Sequence, residues 1–296
     1  MAKNLHLEHP EDMVLTGNLD VVKWFYANST TSVKIDGAPA IVFGTNPENG
    51  KFFVGTKSVF NKKKIKICYT YGDIVAMYDN PKLVGILGSC LQYLPRIKGV
   101  IQGDFIGFGG EDLYTPNTIT YKFPEVVTQK IIFAPHTVYK GDSLKEMDAS
   151  PLLKTLESDD AVLFVQPTVD VIPQHSNFDD LEDAAKRCEE FLTDKEAAEV
   201  KVIFNQFIRA GMDITYPIAF EVIGDPNLAL LYVLIMRQKY DLMSNHIVYD
   251  GPEAFIDDQN IYAEGFVRHN QFGSYKLVDR MLFSAANFNN TKFRSN

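Results

Sequence analysis

Lys34, Ile35, Asp36 and Gly37 stand together in a β-prone stretch, and their types and spacing suit nucleophilic chemistry. A lysine that is desolvated or set near other cations gives up its proton and becomes an attacking amine. On a strand, Asp36 lies two residues beyond Lys34 and so shares its face. Gly37 lets a backbone come close to a ligand. The pair Asp36-Gly37 also suits an ordinary turn.

Other stretches add groups of matching chemistry. Gly103-Asp104-Phe105 lies on a strand-like run, Ala263-Glu264-Gly265-Phe266-Val267 forms a late one, and Ser274-Tyr275-Lys276-Leu277-Val278 follows after a short turn. A carboxylate such as Glu264 suits a hard cation that also takes phosphate oxygens. A lysine such as Lys276 suits charge building on a phosphoryl group during in-line displacement. The same two residues also suit a cross-strand surface ion pair, which is worth little. Phe133, in an Ile-Ile-Phe run, can stack on a base or pack into a core.

Charge is segregated along the chain. Lys57, Lys62, Lys63, Lys64 and Lys66 form a basic run, and Arg268, Lys276, Arg280, Lys292 and Arg294 cluster later. With a net charge of −9, the chain is unsuited to coating nucleic acid indiscriminately. A positive groove on an acidic body fits local engagement of a polyanion, and a solvated surface run fits the lysines equally well.

Secondary-structure signals supply the scaffold for these groups. Residues 17–28 read as an amphipathic helix with Val21, Val22, Trp24 and Phe25 as apolar positions. Strands are expected at 32–35, 40–44 and 51–55, the last two joined as a hairpin through Asn46-Pro47-Glu48-Asn49-Gly50. A helix is expected at 82–94, then strands at 100–107, 130–134 and 161–166. After Pro173 the period becomes helical, with Asn177 as a cap, and a further helix starts at Asp225-Pro226 and runs to about residue 243. Strands return at 262–268 and 274–278. The expectation is an α+β body of residues 1–174 and 249–296, interrupted by a helical insertion at 175–248.

With 46% hydrophobic residues in 296, the chain can build one large core or two unequal domains. Its longest apolar run, residues 228–236, falls well short of the roughly 20 residues that span a bilayer. The first residues have no apolar signal core, so the expectation is a cytoplasmic protein, in a host cytoplasm if a phage encodes it. Cys68, Cys90 and Cys188 are widely spaced and read as reduced core thiols.

The ordered series (a KxDG lysine, a mid-chain acidic strand, an EG-hydrophobic strand, a lysine strand) resembles motifs I, III, IV and V of the covalent nucleotidyltransferases. That superfamily contains the DNA ligases, RNA ligases and mRNA-capping enzymes. Ile132-Phe133 stands where it has an aromatic motif, and Gly55-Thr56-Lys57 where it places a basic residue. The resemblance covers about residues 31–170 and 255–284. It implies a nucleotidyltransferase fold of antiparallel sheets and helices, with ATP as substrate and Mg²⁺, or Mn²⁺ in its place, as cofactor. Lys34 would form the lysyl–AMP, and Asp36 would orient the lysine and help to hold the metal with Glu264. Lys276 would neutralise the α-phosphate, with Arg280 in place of the usual second lysine. Asp104 replaces a usual glutamate at the ribose, and Phe133 would stack on adenine. Val33, Ile35, Gly37 and Lys57 would complete the nucleotide pocket.

Within the superfamily, DNA ligases and capping enzymes typically follow KxDG with an arginine, whereas here Ala38-Pro39 follows. The residues after Lys276 are too few for a C-terminal OB domain. Both features lean towards small phage-type ATP-dependent RNA ligases such as those of marine cyanophages. The implied partner is single-stranded RNA with 5′-phosphate and 3′-hydroxyl ends, contacted by Lys62, Lys63 and Lys64, with no membrane and the protein as a monomer. A DNA ligase that seals nicks, and a non-catalytic binding protein of the same fold, are the alternatives.

Overall fold

The computed structural model of the chain describes residues 7–172, 178–256, 259–261 and 263–283. Helix α1 (Pro10–Met13) begins on a proline, whose missing N–H suits a first helical turn, and α2 (Asp20–Tyr26) buries Val21, Val22, Trp24 and Phe25. Strands β1 (Thr30–Lys34), β2 (Ala40–Thr45) and β3 (Phe52–Gly55) follow. Helix α3 (Tyr71–Met77) is started by a capping box between Thr70 and Asp73, and α4 (Pro81–Tyr93) by the Asn80 side chain. Then come β4 (Val100–Phe108), β5 (Leu113–Tyr114), β6 (Thr120–Lys122) and β7 (Ile131–Lys140). They are followed by β8 (Asp148–Pro151), β9 (Val162–Phe164) and β10 (Thr168–Val171).

Four helices come next: α5 (Asp179–Arg187), α6 (Asp194–Arg209), α7 (Tyr216–Ile223) and α8 (Pro226–Met243). The described chain finishes with β11 (His246–Tyr249), β12 (Glu253–Ile256), β13 (Gln259–Ile261), β14 (Gly265–Asn270) and β15 (Gly273–Val278). The fold is mixed α+β with antiparallel sheets; β9 alongside β7 is a parallel pair. Among the described residues no sheet closes into a barrel, and no helix is long and apolar enough to cross a membrane.

The chain divides into two compact units. Unit 1 contains residues 34–167 and 250–263. Its main sheet has the order β3-β2-β4-β7-β8, with β9 added on β7. The period-2 alternation of β2 buries both faces: Ile41 and Phe43 join Phe105, Phe133 and the apolar side of α4, while Val42 joins Phe53, Val100 and Tyr139. A second sheet, β13-β12-β6-β5, carries Tyr121 at 0% exposure.

Unit 2 contains residues 7–33, 168–249 and 264–283 among those described. It holds the sheet β1-β14-β15, apart from Lys34, together with the β10-β11 pair and helices α1, α2 and α5 to α8. Its core gathers Trp24, Phe204, Leu231, Tyr232, Ile235, Phe266 and Leu277. The expected division into a catalytic body and a separate helical insertion is therefore redrawn. The apolar faces of α5 to α8 close onto Val14, Trp24 and Phe266, so the helices share a core with the chain's early and late segments.

Several local expectations hold. The β2–β3 hairpin forms, and the Asp225 side chain accepts the Leu228 N–H at 2.7 Å to start α8 at Pro226. The cap expected at Asn177 lies outside the described residues, as do Lys292 and Arg294. Helix α3 was not expected, because only Ile74 of its seven residues is buried and no apolar period announces it.

Candidate functional site

Lys34 is the last residue of β1, and the chain passes there from unit 2 into unit 1. Its Nζ lies 3.9 Å from Oδ1 of Asp36, with both side chains partly exposed. The other Asp36 oxygen, Oδ2, accepts a close hydrogen bond from the Asn117 side-chain amide. Asn117 Oδ1 in turn accepts the Ile119 N–H at 3.0 Å, so the carbonyl end of that amide is occupied and its NH₂ end faces Asp36. The Asp36 backbone is held as well. Tyr121 Oη accepts the Asp36 N–H at 2.8 Å and donates to the Asp36 carbonyl at 3.0 Å.

The next residues bind to β4. The Gly37 N–H donates to Asp104 Oδ2 at 3.4 Å, the Ala38 N–H to the Phe105 carbonyl at 3.0 Å, and the Phe105 N–H to the Pro39 carbonyl at 3.1 Å. A Cβ on Gly37 would sit 2.7 Å from both the Phe105 carbonyl oxygen and Ile106 Cδ1. Close backbone approach at this glycine is thus made by the protein's own strand, which is a different use from the ligand contact expected.

Asp104 is mostly buried, and its Oδ1 lies 3.8 Å from Nε2 of His136. Between β4 and β7, Gln102 pairs with Thr137 and Gly103 with Pro135, so His136 is the extra residue of a bulge. Bulges re-aim side chains, and this one leaves the imidazole exposed at the sheet surface, with Nδ1 2.7 Å from Thr137 Oγ1. Unit 1 therefore brings together Lys34, Asp36, Gly37 and Asp104 of the expected residues, and adds Asn117, Tyr121 and His136. Those three stand outside every short motif: Asn117 reads only as a turn residue after Pro116.

The remaining expected residues fall elsewhere. Phe133 is at 0% exposure, edge-on to Phe43 and Phe164 within the unit 1 core, and so has no free face for adenine. Ile35 is buried, and Val33 packs against the unit 2 core. Lys57 opens a 3-10 turn whose Ser58 N–H donates to the Thr56 side chain, and it is exposed. Lys62, Lys63 and Lys64 are exposed in the loop that follows. Lys66 is drawn aside, with its ammonium on the Met77 carbonyl and over the Tyr78 ring.

In unit 2, Glu264 directly precedes β14, and Lys276 lies in β15 opposite Val267. Among the described late basic residues, Arg268 and Arg280 are drawn into the interior. Arg268 is buried, donating to the carbonyls of Phe25 and Ala27. Arg280 is 7% exposed, and its guanidinium meets Glu11, Asp12, Tyr232 and Asn205. A phosphate role for Arg280 is thereby corrected, since its donors satisfy buried carboxylates. Lys239, fully buried, completes the ion cluster at 2.6 Å from Glu11. Burial by itself pushes the Glu11 carboxyl up, but Lys239, His9 and Arg280 together outweigh it and hold the group down at about 2.

Among the described residues, no group of three or more His, Cys, Asp or Glu side chains is arranged to hold a metal ion. Over residues 4–221 and 225–292 the chain matches the model of a family described as "Family of unknown function (DUF6267)". No curated protein and no solved structure matches it.

Proposed function

The chain belongs to that family of unknown function, and from its own residues we propose that it is an ATP-dependent RNA ligase of nucleotidyltransferase fold, acting through a covalent lysyl–AMP. One observation carries this reading. The Lys34 amine and the Asp36 carboxylate face each other at 3.9 Å, in a segment hydrogen-bonded to Asp104 on β4. A lysine and the mid-chain acidic residue of the resembled motif series thus share one site.

The Lys34 nitrogen attacks the α-phosphorus of ATP; the P–N bond forms and the bond to the β-phosphate breaks, releasing pyrophosphate. AMP then passes from Lys34 to an RNA 5′-phosphate, and a 3′-hydroxyl displaces it. Asp36 holds the amine in register and Asp104 anchors the segment behind it; in the resembled motif series, Lys276 would offset charge on the α-phosphate.

The donor set fits Mg²⁺, which is bound through one or two carboxylates plus substrate phosphates and so needs no three-carboxylate cluster. Asp36, at 38% exposure, would hold it, and the resembled motif series adds Glu264. When bound, the ion neutralises phosphate charge. The exposed Lys62, Lys63 and Lys64 give unit 1 a basic loop suited to the backbone of a single strand.

The test is incubation of the full chain with α-labelled ATP and Mg²⁺, followed by denaturing electrophoresis. The expected result is a labelled protein band that Lys34→Ala removes. Parallel time courses then compare 5′-phosphorylated single-stranded RNA with nicked duplex DNA. The RNA should be joined well and the nick poorly. No band from the wild type would leave a non-catalytic binding protein, and efficient nick sealing with no RNA product would make it a DNA ligase.

A further inference from the structure

We infer that Asn117 is a positioning residue for the lysine chemistry, its amide holding one oxygen of Asp36 so that the other stays turned to Lys34. This rests on reading Lys34 as the nucleophile. A carboxylate turns easily about its last torsion, which has broad, two-fold preferences. Tyr121 clamps the Asp36 backbone on both sides, which leaves the side-chain torsions to be set by side-chain contacts. The Asn117 amide restrains the last of them by donating to Oδ2, while Oδ1 lies 3.9 Å from the amine.

The residue type matters. Because the Ile119 N–H occupies the Asn117 carbonyl, the amide cannot turn over without losing that bond, so a donor always meets Asp36. An aspartate at 117 would set carboxylate against carboxylate, and an apolar side chain would take this donor away from Oδ2. A donor to an ionised acceptor makes a stronger bond than a neutral pair, which suits a group that must not swing. A catalytic group misplaced by about 1 Å can cost on the order of 100-fold in rate.

The experiment has two arms on the full chain. In the first, single-turnover lysyl–AMP formation is followed against ATP concentration for wild type, Asn117→Ala and Asn117→Asp. The rate at saturating ATP should fall by roughly 10- to 100-fold in both variants, with half-saturation moved less than about two-fold. The isosteric Asn117→Asp should do no better than Asn117→Ala. In the second arm, without ATP, urea unfolding is measured for Asn117→Ala, Asp36→Ala and the double variant. A true contact makes the double variant no less stable than the weaker single.

Strictly additive stabilities, a saturating rate close to wild type, or restored activity in Asn117→Asp would each overturn the positioning role while the nucleotidyltransferase reading stands. A wild type that forms no adduct would bring down that reading and, with it, this one.

Discussion

The carboxylate of Asp104 accepts the backbone N–H of Gly37 at 3.4 Å, across a separation of 67 residues. That bond, with the two between Ala38-Pro39 and Phe105, ties the Lys34 segment to the central strand of unit 1. The position of the amine is therefore set by β4 as much as by its own strand.

Gly37→Ala should break this arrangement. The added Cβ meets a backbone oxygen at 2.7 Å, which cannot rotate away as a side-chain tip can. A loss of about 1–3 kcal/mol is expected from such overpacking. Urea unfolding measures it, and a midpoint equal to wild type would show that β4 and the segment yield without cost.

Tyr121→Phe removes a hydroxyl that satisfies the N–H and C=O of one residue, Asp36, from a side chain at 0% exposure. The expected cost is about 1–3 kcal/mol for the polar groups left short of a partner. Adenylation should slow beyond what lost stability explains, measured well below the unfolding temperature. A variant with wild-type rate would remove Tyr121 from the positioning of Asp36.

Lys276 and Arg280 lie four residues apart but should respond differently. Lys276→Ala, like Glu264→Ala, is expected to lower lysyl–AMP formation by orders of magnitude, beyond what lost stability explains. Arg280→Ala leaves Glu11 and Asp12 short of a buried cation and should cost about 3–5 kcal/mol of stability. Thermal melts and single-turnover labelling of the three variants separate the roles. The reverse pattern would return Arg280 to the phosphate and leave the late strands structural.

The buried cluster also sets an acid limit. Burial pushes the His9 imidazole well down, to about 2, against the opposing pull of Glu11 and with help from Lys239, Arg280 and Lys276. The unfolded chain takes up that proton near pH 6.5 while the native state does not, so stability present above about 6.5 is lost as pH falls below it. The slope is about 1.4 kcal/mol per pH unit. Glu11, held at about 2, contributes stability above its ordinary value near 4.5 and begins to lose it only below that. Urea unfolding between about pH 6.5 and 5 therefore reads His9 together with His246, whose imidazole is also pushed down by burial, and His9→Gln should remove the His9 share of the slope there. An unchanged slope would assign it to other groups.

Local signals in the sequence were read correctly where one element carries them. Asp225-Pro226 marks the start of α8, and the Pro-Asn-Gly stretch marks the β2–β3 hairpin. The KxDG segment and Asp104 were singled out separately, and they meet at the Gly37 N–H. What stayed hidden depends on long-range partners. The acidic partners of Arg280 lie 268 and 269 residues earlier, so no window of sequence shows that the guanidinium is taken. Phe133 stands in an unbroken apolar run, which suits a strand but does not say whether its ring meets a core or a ligand. His136 owes its exposure to a bulge, which depends on the pairing of β7 with β4. The helices at 179–243 showed their apolar stripes; that Trp24 and Phe266 fill the facing surface is a tertiary fact.

The interleaving of the two units bears on how the chain is made. Unit 1 is built from residues 34–167 and 250–263, and unit 2 from segments before, between and after them. On the ribosome, β1 emerges early but waits for β14, and Trp24 waits for Phe266, until more than 200 further residues have been translated. Unit 2 has no complete core from a single uninterrupted stretch of the gene, whereas the two clusters on the main sheet of unit 1 lie within residues 41–164. Expressing residues 34–167 by themselves should therefore keep the main sheet of unit 1 while leaving its second sheet without β12 and β13.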